Sequence, residues 1–305
     1  MTGVVGILLL SVNLHDAKCN STHKFLFMKK ILVPCDFSDE ALQAYEFAMN
    51  IAGQSGGEVF VLKVIDLPIS YETSFGAPVY YFDESVLKDL QAQALTEFEK
   101  MRNKSLKKGA ANFCTMHGPV TPMIRQFIED NKIDLVVMGT KGASKWKEYL
   151  IGSNTEKIVR FSKVPVFAIR KSFELNKIKN IVFPTGLQLN QVDFVTRVKE
   201  LQSFFSATLH ILLVNTPYNF KRSKDDKELL EEYAKHYKLR DYTLNVYDDY
   251  YAEDGIINFA HTVKADMIAM STHGRKGLAH MFIGSVAEDV VNHVDCPIWT
   301  YSLKD

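Results

Sequence analysis

MGTKGASKWKEYLIGSNTEK, residues 138–157, and MSTHGRKGLAHMFIGSVAED, residues 270–289, are one phrase written twice. Set in register they share seven of twenty residues: Met, Thr, Gly, Ile, Gly, Ser and Glu. Ordinary residue usage would give about one or two matches. Each phrase grows out of a continuous apolar run, DLVVMG or DMIAMS, of the kind that suits a parallel strand covered on both faces. Each also carries a serine with a glutamate three residues on, Ser153 with Glu156 and Ser285 with Glu288. That is the capping-box spacing that starts a helix. Strand, glycine turn and helix therefore recur as a unit, and the rest of the repeat lies on either side.

Upstream, KKILVPCDFSDEALQAYEFAMNIAGQSGGEVFVLKVID (29–66) matches KNIVFPTGLQLNQVDFVTRVKELQSFFSATLHILLVNT (179–216). Pro34 and Pro184 stand 150 residues apart, as do Val64 and Val214. From the glycine phrase onward the offset is 132, at Gly142/Gly274, Gly152/Gly284 and Pro165/Pro297. The first half thus carries 18 extra residues, which fall around the aromatic stretch PISYETSFGAPVYYFDE (68–84), expected as a loop. Strands are expected near 31–34, 59–65, 112–116, 134–138 and 164–170, with helices near 39–53, 84–108, 119–131 and 153–162. Alternating strands and helices predict an α/β fold of two tandem Rossmann-like domains, each a five-stranded parallel sheet with helices on both faces. The first domain is expected over 28–171 and the second over 178–305, with 1–27 a disordered extension. GVVGILLLSV near the N-terminus is too short to span a bilayer, which takes about 20 residues, and lacks the basic flank of a secretory signal.

Lys and Arg total 36 and Asp and Glu total 36, so the 305-residue chain has no net charge. That balance supplies no field for nucleic acid or an anionic membrane. The four cysteines and nine histidines form no CxxC or HExxH spacing, which argues against a protein metal site. Cys35 and Cys296 sit in apolar runs as reduced thiols, consistent with a cytoplasmic location.

A glycine turn leaving a parallel strand lies at the rim where ligands of such sheets bind. The N–H groups of the following helix add an anion site. Tight turning and helix starting alone would also explain these residues. No GxxxxGK[ST] or GxGxxG run is present, so the usual nucleotide-hydrolysing machinery is missing.

With ILVPCDFS, VFVLKVID and the spacing G-x2-G-x9-G-S in place, residues 29–302 resemble a tandem pair of universal stress protein domains. The resemblance implies binding of ATP or a related adenine nucleotide, with Mg2+ accompanying it. By the same resemblance Pro34, Asp36 and Val64 take the base and ribose side. Gly139, Gly142, Gly152, Ser153 and Asn154 take the phosphate side. It also implies pairing through the last strands, VPVFAIR (164–170) and CPIWTYS (296–302). In one chain that pair becomes an intramolecular pseudo-dimer, with further homodimerisation open.

The halves differ at the site. Gly186 replaces Asp36, and Ser271 replaces the first glycine of the loop, where serine would tighten a turn that needs positive φ. Gly274, Gly284 and Ser285 remain as a weaker second site. The leading expectation is a nucleotide-binding sensor or regulator of the stress response. One alternative is a non-nucleotide interaction module using Tyr71, Phe75, Tyr80, Tyr81 and Phe82. The other is a slow ATPase, for which Asp36 is the one well-placed carboxylate and no catalytic set is assembled.

Overall fold

The computed structural model describes residues 28–66, 71–74, 77–80, 84–107, 109–140, 153–171, 173–218, 223–272 and 283–302. In the first half the chain runs β1 (Lys30–Pro34), α1 (Asp39–Ser55), β2 (Glu58–Ile65), β3 (Tyr71–Ser74), β4 (Ala77–Tyr80), α2 (Glu84–Lys104), β5 (Ala111–His117), α3 (Val120–Asn131), β6 (Leu135–Gly139), α4 (Ser153–Phe161) and β7 (Val166–Ile169). The second half repeats this without the insertion: β8 (Asn180–Pro184), α5 (Val192–Phe205), β9 (Thr208–Asn215), α6 (Ser223–His236), β10 (Tyr242–Asp248), α7 (Ala252–Thr262), β11 (Met267–Ser271), α8 (Ile283–His293) and β12 (Ile298–Tyr301).

A five-stranded parallel sheet in each half was the expectation, and each half does supply five mutually parallel strands. They form one ten-stranded sheet, ordered β10-β9-β8-β11-β12-β7-β6-β1-β2-β5. The join is antiparallel, with Trp299 opposite Phe167. A lone last strand would leave a row of unpaired N–H and C=O groups, and this pairing covers both edges. The last strands thus meet within one chain, as the sequence suggested.

Duplication extends to fine geometry. Asp134 Oδ2 accepts from the N–H groups of Lys29 and Lys30 at 3.2 and 2.9 Å. Asp266 Oδ2 accepts from those of Lys179 and Asn180, both at 2.9 Å. Each carboxylate satisfies donors that precede the first ladder bonds of β1 or β8. Left-handed φ recurs at Phe37 and Leu187 (67° and 64°) and at Lys132 and Lys264 (52° and 51°).

On one face of the sheet a single apolar core crosses the seam. Phe47 of α1 packs edge-on to Phe167 of β7 at 5.1 Å, and Phe167 meets Phe205 of α5 at 6.5 Å. Gln54 Nε2 donates to the Phe204 carbonyl at 2.8 Å, and Lys171 pairs with Asp295 at 2.7 Å. The opposite face carries two cores, one under α3 and α4 and one under α7 and α8. Among the described residues no helix is long and apolar enough to cross a membrane.

Two local expectations need correction. The 68–84 stretch, expected as a loop, contains the antiparallel ribbon β3–β4 with Tyr71 opposite Tyr80. Tyr71 and Thr73 in β3 and Val79 and Tyr80 in β4 are of the residue types that favour strands. Helix α8 starts at Ile283, so Gly284 and Ser285 lie inside its first turn rather than ahead of it. First-turn N–H groups need no partner within the helix, so the cap spacing does not fix which residue turns helical first. Residues 1–27, Phe75, Tyr81 and Phe82 lie outside the described residues, as do the side chains of Tyr71 and Tyr80.

Candidate functional site

Within the first half the strand order is β5-β2-β1-β6-β7. The chain reverses its direction of travel across the sheet between β1 and β6. Neighbouring loops there leave on opposite faces and open a crevice beyond the strand ends. A cleft of about 280 Å³ occupies that place, near the lower limit for small-molecule sites. Pro34, Asp36, Val64, Gly139 and Asn154 all line it.

Asp36 leaves the end of β1 exposed. Its Oδ1 accepts from Ser38 N at 3.1 Å and Ser38 Oγ at 2.6 Å, while Ser38 Oγ accepts from Ala41 N at 3.2 Å and caps α1. Asp36 Oδ2 takes no hydrogen bond among the described residues. Between the two, Phe37 holds φ 67°, a costly conformation for a ring-bearing residue, and Lys63 Nζ sits 5.2 Å from its ring centre. Leu62, Val64, Ile124 and Met138 form the apolar wall. Cys35 lies at the floor, and burial pushes its thiol up to about 12, so it stays protonated at neutral pH.

At the other end, Thr155 Oγ1 donates to the Gly139 carbonyl at 3.1 Å and ties α4 to β6. Asn154 and Thr155, in the first turn of α4, face the cleft. The unsatisfied N–H groups of that turn favour an anion. Gly139 does not adopt positive φ. A Cβ there would lie 2.5 Å from the Glu40 carbonyl oxygen, so glycine is needed to let α1 approach β6. Gly142 and Gly152 lie outside the described residues, as does the side chain of Ser153, the first residue of α4.

The second half departs from this geometry. A Cβ at Gly186 would lie 2.6 Å from Gln188 Nε2, so the glutamine amide fills the place of the Asp36 side chain. Tyr237 Oη donates to the Gln188 carbonyl at 2.9 Å and accepts from Gln191 N at 3.0 Å, fastening this loop to the end of α6. Helix α5 begins at Val192, three residues later than a 150-residue shift of Asp39 would put it. The turn that presses on Gly139 therefore has no helical counterpart at Ser271, which explains why serine is tolerated without any change of φ. Leu213 stands in the place of Lys63. Gly274 and the side chains of Gly284 and Ser285 lie outside the described residues.

Several lining residues escaped the sequence reading: Ser38, Glu40, Lys63, Met138 and Thr155. Lys63, a charge inside the apolar run VFVLKVI, was the available signal.

The universal stress protein family model matches residues 28–170 and 177–302, well over half of the chain. A universal stress protein of Methanocaldococcus jannaschii is 30% identical over 144 residues, covering 47% of this chain and 82% of that protein. One from Synechocystis is 24% identical over 299 residues, covering 90% of this chain and all of that one. Among solved structures, a universal stress protein from Archaeoglobus fulgidus superposes with a TM-score of 0.68 at 19% identity, over 90% of this chain and 98% of that one. The duplicated sequence, the matched family model and the shared fold agree: the chain belongs to the universal stress protein family, with two family units in tandem.

Proposed function

We propose that the first half binds an adenine nucleotide, ATP with its accompanying Mg2+, and that the chain acts through this occupancy as a sensor or regulator in the cytoplasmic stress response. One observation carries the reading. One cleft has at one end a carboxylate oxygen that takes no hydrogen bond among the described residues and at the other the first turn of a helix, with an apolar wall between. Asp36 Oδ2 suits an amino group of the base or a ribose hydroxyl as donor. Val64, Ile124 and Met138 offer the base an apolar face. The N-terminus of α4, with Asn154, Ser153 and the glycines Gly142 and Gly152 that precede it in sequence, suits the phosphates. Mg2+ would be held chiefly by the phosphate oxygens. In the second half, where Gly274, Gly284 and Ser285 retain part of the pattern, the missing carboxylate and the Gln188 amide disfavour the same ligand.

Thermal unfolding with increasing Mg-ATP tests this. Ligand at about one hundred times its Kd adds about 2.7 kcal/mol to stability, read as a rise in Tm. Native mass spectrometry should find one nucleotide per chain. Asp36→Ala should weaken binding about tenfold or more, as expected for loss of a hydrogen bond to a charged group. Absence of any Tm rise at millimolar Mg-ATP would sink the proposal.

A further inference from the structure

At the N-terminal ends of β9 and β10 the second half holds a cavity of about 770 Å³. Lys199 and Gln202 of α5, Ser206 at that helix's end, and Lys238, Arg240 and Asp241 before β10 contribute to its wall. Three cations face one carboxylate.

The duplication supplies an internal comparison. By the 150-residue offset, Lys199 and Gln202 stand where the first half has Met49 and Ala52. By strand register, Ala111 lies opposite Val59 as Tyr242 lies opposite Leu209. Arg240 therefore stands where the first half has Gly109. There Met49 sits so close that a Cβ on Gly109 would collide with its terminal methyl. An apolar side chain plugs the place in the first half, and a lysine and an arginine stand at the same two positions in the second. Ser206, at φ 50°, likewise replaces Gly56, at φ 63°. A hydroxyl has been added where glycine is the less strained choice.

Helix carbonyl ends facing such a cavity would repel an anion, but here they are engaged. Lys179 Nζ donates to the Phe205 carbonyl and Lys199 Nζ to that of Tyr237, each at 3.2 Å. Gln202, only 8% exposed, donates from Nε2 to the carbonyls of Arg240 and Asp241 at 2.9 and 3.0 Å. Lys238 and Arg240 form no salt bridge among the described residues.

We propose that this cavity is a second binding site, specific to the second half, for a small anion with more than one phosphate charge. Arg240 would take phosphate oxygens with its planar fork, and Lys238 and Lys199 would add point charges. The site is separate from the first-half cleft and does not depend on nucleotide binding there.

Calorimetric titration of the full chain with inorganic pyrophosphate is the test. Saturable binding at a single site, weakening as salt rises, is expected. The pair Lys199→Met with Arg240→Gly restores the residues of the first half and should lower affinity about tenfold or more. Should the double variant fail to fold, Lys238→Gln keeps the test, with a loss of several-fold expected. The proposal is overturned if millimolar pyrophosphate gives no saturable heat. Unchanged affinity in the folded variants would overturn it too, as would sedimentation with phosphatidylserine vesicles without pyrophosphate binding.

Discussion

A methyl group added at Gly139 would arrive 2.5 Å from the Glu40 carbonyl oxygen, against backbone that cannot swing aside. Gly139→Ala should therefore cost about 1–3 kcal/mol, the range for overpacking, read as a lower urea midpoint. Ser271→Ala, at the matching place, should stay within about 0.5 kcal/mol. His210 is a second residue with a definite consequence. The Thr243 hydroxyl donates to its Nδ1 at 2.9 Å, and its Nε2–H donates to Asn180 Oδ1 at 3.2 Å. Asn180 Nδ2 in turn donates to Asp266 at 3.2 Å, which fixes the amide orientation and the neutral tautomer. Burial lowers the pKa of His210 from 6.5, with Asp266 opposing. The unfolded state then binds more protons as pH drops, so stability is full above 6.5 and is lost as pH falls through it toward the folded value. His210→Phe, the residue found at position 60 in the first half, should flatten the change in urea midpoint between neutral and mildly acidic pH. Asp36 could be named from the sequence because its neighbours form a motif. Thr155 could not, because its role depends on the Gly139 carbonyl, which it meets only on folding.

Among the elements, those with a clear hydrophobic period and end signals were the most readable. Helix α1 carries Ser38 at its start and left-handed Gly56 at its end, and its observed span follows those marks. Strands buried on both faces were equally plain. The β3–β4 ribbon was missed because four-residue strands carry too little pattern to stand out from an aromatic loop. The seam strands β7 and β12 are also four residues long, yet their pairing carries the join between the halves. Phe167, fully buried between Phe47 and Phe205, links helices from both halves. Phe167→Ala should cost about 3–5 kcal/mol, and chemical denaturation should show both halves losing structure together.

Across the whole molecule, the sequence showed that two units exist and which strands join them. It did not show that one core crosses the seam, since that depends on contacts between residues far apart in the chain. A core shared in this way predicts a single cooperative thermal transition, with calorimetric and van't Hoff enthalpies in agreement.

The antiparallel join of β7 to β12 has a further consequence. Two separate copies held by such strands would part on dilution, whereas two halves of one chain meet at a fixed effective concentration. The Tm should therefore not change over a hundredfold dilution, to about that range of protein concentration. A homodimer also repeats every substitution on both sides of its axis. Here a substitution enters once. Gly186, Leu213, Lys199 and Arg240 can stand on one side while Asp36, Lys63, Met49 and Gly109 stand on the other, so the covalent link frees each half to take up its own chemistry.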